Sequence, residues 1–284
     1  MKTIRLLFLC LILVIFLNTG TFAISQPNPA AESAVLLDAA SGKIIYAKNA
    51  SKIMAPASTT KIMTAILVLE YLSLDKTITI CGEAASREGS SMYLKKKEKK
   101  TVRELLYGLM LSSGNDAAAA LADAVSGNET KFAVLMTKKA RLLGMKNTQF
   151  KNASGLPAIG HYSTAYDLAV LTRYALKNVN FAKIVSTKVK EISGSTPGDN
   201  RRLINHNKLL WRYQYTTGVK TGYTRAAGGC LVSSAKQDGK TLISIVLKTS
   251  YIYDDAQKLL EYGFTKFKTK TSIASTIQIN PANS

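Results

Sequence analysis

The chain has 284 residues, 46% hydrophobic and 20% charged, a balance that excludes a disordered polymer and allows a full-sized core. Lysine and arginine number 38 against 18 acidic residues, so the net charge of +20 directs the search for polar partners toward anions. Three cysteines are too few for a disulfide framework.

At the start of the chain, Lys2 and Arg5 precede an apolar run from Leu6 to Leu17, and small and polar residues follow to Thr21-Phe22-Ala23. This pattern reads as a secretory signal over residues 1–23, cleaved after Ala23, with an uncleaved anchor as the alternative. About a dozen apolar residues fall short of the roughly 20 that a membrane span needs. Loss of Lys2 and Arg5 leaves a net charge of about +18. Export and the lack of a recognisable binding motif argue against nucleic acid, and favour an anionic cell-wall or membrane surface as the partner. Cys81 and Cys230 remain after cleavage, as one bond or as two free thiols.

Residues 24–267 read as one domain, with 268–284 as a short tail. Ala34–Leu37 and Lys43–Ala47 are expected to pair as strands across a tight turn at Asp38-Ala-Ala-Ser-Gly42. From Ser58 the chain is apolar on nearly every side to Leu72, which predicts a helix buried in the middle of the protein. The basic run Leu94-Lys-Lys-Lys-Glu-Lys-Lys-Thr101 reads as a solvated turn. Helical periodicity follows over Thr101–Ser112. Asn115-Asp116 then caps a helix over Ala117–Val125, Asn128 begins another that ends near Leu143, and Ser163 begins one through Leu176. Asn152–Tyr162 is expected to be a loop. After residue 215 the pattern returns to strands, at Gly218–Tyr223, Gly229–Ala235 and Thr241–Leu247, with a two-residue hairpin turn at Asp238-Gly239. Asp254-Asp255 begins an amphipathic helix with Leu259, Leu260 and Phe264 on one face. Strands at both ends and helices between them imply an α+β fold, with one antiparallel sheet built from both chain ends, flanked by helices, and a mainly helical central region.

Three short motifs occur on this framework: Ser58-Thr59-Thr60-Lys61, Ser113-Gly114-Asn115 and Lys220-Thr221-Gly222. Ser58 and Lys61 are three apart at the foot of an apolar helix, so their side chains share a face. Burial there disfavours an ammonium and turns Lys61 toward a base able to activate a serine hydroxyl. Ser58 could equally be a plain helix cap. Ser113 supplies a second hydroxyl able to relay a proton, and Asn115 an amide able to bind a substrate amide; a helix end and the next cap explain them as well. Lys220 and Thr221 offer a cation and a hydroxyl for a carboxylate, while Gly222 admits a substrate backbone; an ordinary strand is the alternative. Ser73–Lys76, Ser233–Lys236 and Ser126-Gly-Asn128 repeat the forms of the first two motifs, so the ordered set carries the information.

In this order the motifs are the signature of penicillin-binding proteins and class A β-lactamases. The chain resembles the low-molecular-mass penicillin-binding proteins of the D-alanyl-D-alanine carboxypeptidase type, peptidase S11, from about Ala31 to Phe264. Ala34-Val-Leu-Leu-Asp-Ala-Ala-Ser-Gly42, Pro56-Ala57, Gly144-Met-Lys-Asn-Thr148 and Gly160-His-Tyr-Ser163 carry the likeness beyond the motifs. The resemblance implies a β-lactamase/transpeptidase-like fold. It also implies an exported, extracytoplasmic enzyme, associated with cell wall or membrane, that removes the terminal D-alanine from peptidoglycan stem peptides and is acylated by penicillins, without cofactor or metal. By that likeness Ser58 is the nucleophile, Lys61 its base, Ser113 the relay and Asn115 a substrate-amide ligand. Lys220, Thr221 and Gly222 hold the substrate, and the backbone N–H groups of Ser58 and Tyr223 form the oxyanion hole. Some relatives have histidine where this chain has Tyr223. Many carry a β-rich second domain and an amphipathic anchor, patterns that the residues after Phe264 do not show.

A serine β-lactamase of class A needs a glutamate-positioned water. Between Asn115 and Lys220 the only glutamates are Glu129 and Glu191, and neither has the Glu-x-x-Leu-Asn context of those enzymes. A Ser-His-Asp hydrolase lacks its G-x-S-x-G elbow, and both His161 and His206 read as structural. A non-catalytic, basic wall-binding protein of the same fold is the remaining alternative, disfavoured because it has no need to keep a nucleophile and base together.

Overall fold

Segments about 200 residues apart form the middle of one sheet: Ser33–Asp38 (β1) pairs antiparallel with Lys240–Leu247 (β9), Ala34 opposite Val246 and Leu36 opposite Ser244. The structure, a computed structural model, describes residues 25–194 and 200–278, with side chains to 269. The expected signal, 1–23, lies outside the described residues.

The five-stranded sheet has the order β2-β1-β9-β8-β7, with Ile44–Lys48 (β2), Thr216–Thr224 (β7) and Gly228–Gln237 (β8), and every neighbouring pair is antiparallel. Its central strands β1, β8 and β9 are buried on both faces because both faces are covered. Val35, Leu37, Val232 and Ile245 belong to one core, and Ala34, Leu36, Leu231 and Val246 to the other, the period-2 alternation of a strand sandwiched between layers. Asp238 and Gly239 turn β8 into β9 with φ of 49° and 73°, the paired left-handed values a type I′ hairpin requires.

The last helix covers one face with Ala256, Leu259, Leu260 and Phe264. It spans Ile252–Gln278, starting two residues before Asp254-Asp255 and continuing past 267, where the tail was expected to begin. Asp255 is buried and accepts the backbone N–H groups of Ala30 and Ala31 at 3.0 and 2.9 Å, tying the segment before β1 to this helix.

A helical layer covers the other face. Its centre is α1, Lys61–Tyr71, buried from Lys61 through Val68. A four-residue helix, Gly82–Ala85 (α2), follows, and Val102–Leu111 (α3) starts at a reciprocal capping box between Thr101 and Glu104. Asn115–Ser126 (α4) ends at Gly127 with φ of 78°, and Asn128 caps Glu129–Leu142 (α5). The second Ser-Gly-Asn triplet is therefore a helix stop and the next helix start. Ala165–Ala175 (α6), Val179–Ser186 (α7) and a single turn, Leu209–Arg212 (α8), complete the helices, and the last helix is α9.

Two short antiparallel strand pairs had no counterpart in the sequence reading: Thr77–Thr79 (β3) with Lys99–Thr101 (β4), and Val189–Ile192 (β5) with Arg201–Ile204 (β6). The first corrects part of the reading of the basic run: Lys96 and Lys97 form a turn and Lys95, Lys96, Lys97 and Lys99 are exposed, but Glu98 and Lys100 turn inward. Glu98 and Lys100 are only 4% and 3% exposed, because Glu98 pairs with Arg201 of β6 at 2.8 Å and with Lys100 at 3.3 Å, while Lys100 also donates to the Ser193 carbonyl. Cys81, exposed, and Cys230, buried on β8, are both free thiols. Among the described residues no helix is long and apolar enough to cross a membrane.

Candidate active site

Ser58 does not sit in the α-helix itself. Ala57–Thr60 forms a 3-10 turn closed by Thr59 N–H to the Pro56 carbonyl and Lys61 N–H to the Ser58 carbonyl, and the α-helix starts at Lys61. In a 3-10 turn residues i and i+3 eclipse, which stacks Lys61 directly against Ser58. Ala57 enters the turn at φ of 47° and Ser113 has φ of 60°. Left-handed backbone at non-glycine residues costs about 1–3 kcal/mol and gathers at functional sites.

Lys61 Nζ is completely buried and makes three contacts: Ser58 Oγ at 2.9 Å, Asn115 Oδ1 at 2.8 Å and the Ser154 carbonyl at 2.7 Å. The last two can only accept. A neutral amine has two N–H groups and one lone pair; with both N–H groups given to Asn115 and Ser154, the lone pair points at the Ser58 hydroxyl. Burial first, and the nearby Lys220 second, push Lys61 well below the ordinary lysine range, against a smaller opposing pull from Asp116 and Glu129. The arrangement can take the Ser58 proton.

Asn115 reaches in two directions, accepting from Lys61 and donating from Nδ2 to the Glu88 carbonyl at 2.7 Å, which leaves one N–H and one lone pair of its amide for other partners. Its neighbour Asp116, fully buried, accepts from Ser91 Oγ at 2.6 Å, Met92 N at 3.1 Å and Leu94 N at 3.0 Å, pinning the loop that carries Ser90. Ser113 lies between α3 and α4 on the same cavity as Ser58, while the Lys61 hydrogen bonds run to Ser58, Asn115 and Ser154.

The third motif lies on β7, the sheet edge. A β-carbon on Gly222 would stand 2.9 Å from Ser58 N and 3.1 Å from Ala57 Cβ, so glycine is what lets the strand and the Ser58 turn meet. Thr221 and Tyr223 border the cavity, and Tyr223 is 73% exposed at its mouth. Lys220 is buried behind them with Nζ on the Thr221 carbonyl at 3.0 Å, and burial lowers it to about 7. The cavity, about 850 Å³, is bordered by Ser58, Ser90, Ser113, His206, Thr221 and Tyr223 among others.

The two histidines differ. His161 is buried; its Nδ1 accepts Lys151 N–H at 3.1 Å, so Nε2 carries the proton and donates to Thr60 Oγ1 at 2.9 Å. Burial holds it down at about 4, and it braces the Ser58 turn as a neutral ring. His206, read from sequence as structural, instead borders the cavity, its backbone held by Leu111 O and by Tyr253 Oη. Burial, then Lys220 and Lys61, lower its basicity. Ser90, Asp116, Ser154 and His206 were missed at the sequence level; only Asp116, next to the second motif, carried a local signal. No group of three or more metal-ligating side chains converges among the described residues.

Comparison with known proteins gives the family. The family model for D-alanyl-D-alanine carboxypeptidases, peptidase S11, matches residues 20–250. The D-alanyl-D-alanine carboxypeptidase DacF of Bacillus subtilis is 41% identical over 248 residues, covering 84% of this chain and 63% of that protein. DacC of Escherichia coli is 38% identical over 265 residues, covering 88% of this chain and 65% of that protein. The chain thus spans somewhat under two thirds of the length of these two relatives. The crystal structure of the Streptomyces K15 DD-transpeptidase superposes with a TM-score of 0.80 at 37% identity, covering 85% of this chain and 99% of that one. The DacD carboxypeptidase of Francisella tularensis gives a TM-score of 0.79 at 34% identity, over 87% and 74% of the two chains. This chain belongs to the peptidase S11 family of D-alanyl-D-alanine carboxypeptidases.

Proposed function

We propose that this protein is a serine-type D-Ala-D-Ala carboxypeptidase acting on peptidoglycan stem peptides through a Ser58 acyl-enzyme. The observation that carries the reading is the contact set of Lys61: a buried amine with two acceptors for its hydrogens and its third contact on Ser58 Oγ. Lys61 takes the hydroxyl proton as Ser58 Oγ attacks the carbonyl carbon of the penultimate D-alanine. Negative charge on the carbonyl oxygen is received by the backbone N–H groups of Ser58 and Tyr223. The C–N bond to the terminal D-alanine then breaks, and the proton on Lys61 passes through Ser113 to the leaving amine. Water attacks the ester in the second half and releases the shortened peptide. Lys220 and Thr221 hold the terminal carboxylate, and the free N–H and lone pair of Asn115 serve the substrate amide. The same carboxylate-and-carbonyl pattern in a penicillin makes it a covalent inhibitor. The substrate is extracytoplasmic, so the protein works outside the cytoplasm, where its high positive charge favours residence on an anionic wall or membrane surface.

The test is incubation with a labelled penicillin and with a peptide ending in D-Ala-D-Ala, comparing the wild type with Ser58→Ala. The expected result is an adduct and D-alanine release in the wild type alone. Neither product, or both retained in Ser58→Ala, overturns the assignment.

A further inference from the structure

The carbonyl that receives one hydrogen from Lys61 belongs to a loop with its own scaffold. Asn152 Oδ1 accepts Ser154 N at 3.2 Å and Gly155 N at 2.7 Å, and its Nδ2 donates to the Leu156 carbonyl at 2.9 Å. Ala153, between them, is held at both ends. Its carbonyl accepts from Thr64 Oγ1 on α1 at 2.6 Å, and its N–H donates to Glu129 Oε1 at 3.0 Å. The other carboxylate oxygen of Glu129 pairs with Arg87 at 2.8 Å. On the far side, Gly155 has φ of 86° and a β-carbon there would lie 1.9 Å from the Ala57 carbonyl, so the loop is seated directly on the Ser58 turn.

With Lys61 taken as the base for Ser58, we propose that Glu129 is a positioning residue for it: through Ala153 it fixes the Ser154 carbonyl, and with it the rotation that aims the Lys61 lone pair at Ser58. Glu129 does not border the cavity. It acts in a second way through its charge. The groups facing it are Arg87 at contact and, by electrostatic coupling, Asp123 and Lys61; those coupled to Lys61 are Lys220, Asp116, Glu129 and His206. Glu129 favours the ammonium form of Lys61, opposing burial and Lys220. Glutamine at this position keeps an acceptor for Ala153 N–H and removes the charge; alanine removes both. The two variants therefore separate positioning from electrostatics.

The experiment measures, on the full chain, acylation by a fluorescent penicillin across pH for wild type, Glu129→Gln and Glu129→Ala. A parallel 13Cε NMR titration follows Lys61, assigned by the signal lost in Lys61→Arg. Glu129→Ala is expected to slow acylation about 10- to 100-fold, the scale of a misplaced catalytic group. Glu129→Gln is expected to stay within a few-fold at alkaline pH, with its acid limb and its Lys61 titration both moved to lower pH. A reactive wild type matched by both variants, with an unmoved Lys61 titration, overturns the inference alone. Equal slowing of both variants with an unmoved titration also overturns it, leaving only a scaffolding role. A wild type that takes up no penicillin overturns the Ser58 reading and this inference together.

Discussion

Gly222 faces Ser58 so closely that a single added carbon would stand 2.9 Å from the Ser58 backbone nitrogen. That nitrogen is proposed to receive negative charge from the substrate, and donors of this kind act only when held within a few tenths of an ångström. Gly222→Ala is expected to push the turn and strand apart and lower acylation by about 100-fold or more. Folding should survive, because the residue is at an edge strand. Stopped-flow acylation beside a thermal melt separates the two, and a variant that reacts at the wild-type rate would show the contact to be inert.

Lys220 sets a proton-linked binding step. Its buried ammonium is lowered to about 7, so above that pH the empty site holds mostly the neutral amine. A bound carboxylate favours the charged form, and binding at pH 8 should take up a proton. Calorimetry of a penicillin binding to Ser58→Ala, in buffers of different ionisation enthalpy, measures that uptake; Lys220→Met should abolish it.

The same lysine bears on stability. The unfolded chain keeps Lys220 protonated up to its ordinary value of 10.5, while the folded chain releases the proton near 7. Between these values the unfolded state binds more protons, so this residue makes stability rise with pH across the window and costs most below it. Lys220→Met is expected to melt a few degrees higher than the wild type at pH 7 while losing acylation. A lower melting temperature would contradict a desolvated ammonium.

His161 gives an acid-side counterpart. It is lowered from 6.5 to about 4 by burial, so below 6.5 the unfolded state takes up a proton that the folded state refuses. Stability should fall as pH drops from 6.5 to 4, by up to about 3 kcal/mol from this residue. His161→Gln should flatten that part of the curve in denaturant titrations at several pH values. An unchanged slope would place the acid sensitivity elsewhere.

Asp116 tests the loop beside the cavity. Its buried carboxylate accepts the Ser91 hydroxyl and the backbone N–H groups of Met92, Leu94 and Ala117, and Asp116→Ala orphans them all at once. A loss of about 3 kcal/mol is expected from unpaired buried donors, together with faster amide exchange at Met92 and Leu94. Exchange unchanged at those two amides would rule out the anchoring role.

Most of the framework was legible because it rests on local patterns. The two apolar faces of β1, the Asp238-Gly239 turn and the capped starts of α3 and α5 follow from neighbours in sequence. The reading failed where a distant partner decides. Within the basic run, Glu98 and Lys100 turned inward because Arg201, 103 residues from Glu98, arrives to pair with Glu98. In the site, Ser58, Lys61 and Lys220 stood out by motif, but the Ser154 partner of Lys61 is a backbone carbonyl, which has no side-chain signature. His206 reached the cavity from the segment between β6 and α8, held there by the distant Leu111 carbonyl and Tyr253 hydroxyl. The 3-10 turn at Ser58 was equally hidden, since its cause is the left-handed Ala57 and the close packing of Gly155 and Gly222.

The pairing of β1 with β9 has a kinetic consequence. Ser58 is made early, while its partner strand β7 emerges about 160 residues later and lacks a stable seat until β8 and β9 complete the sheet. Closing so long a loop is slow, and the chain must cross that barrier without an intermediate able to react. A penicillin adduct would therefore count fully folded molecules, making the proposed inhibitor a reporter of how quickly the chain reaches its native state.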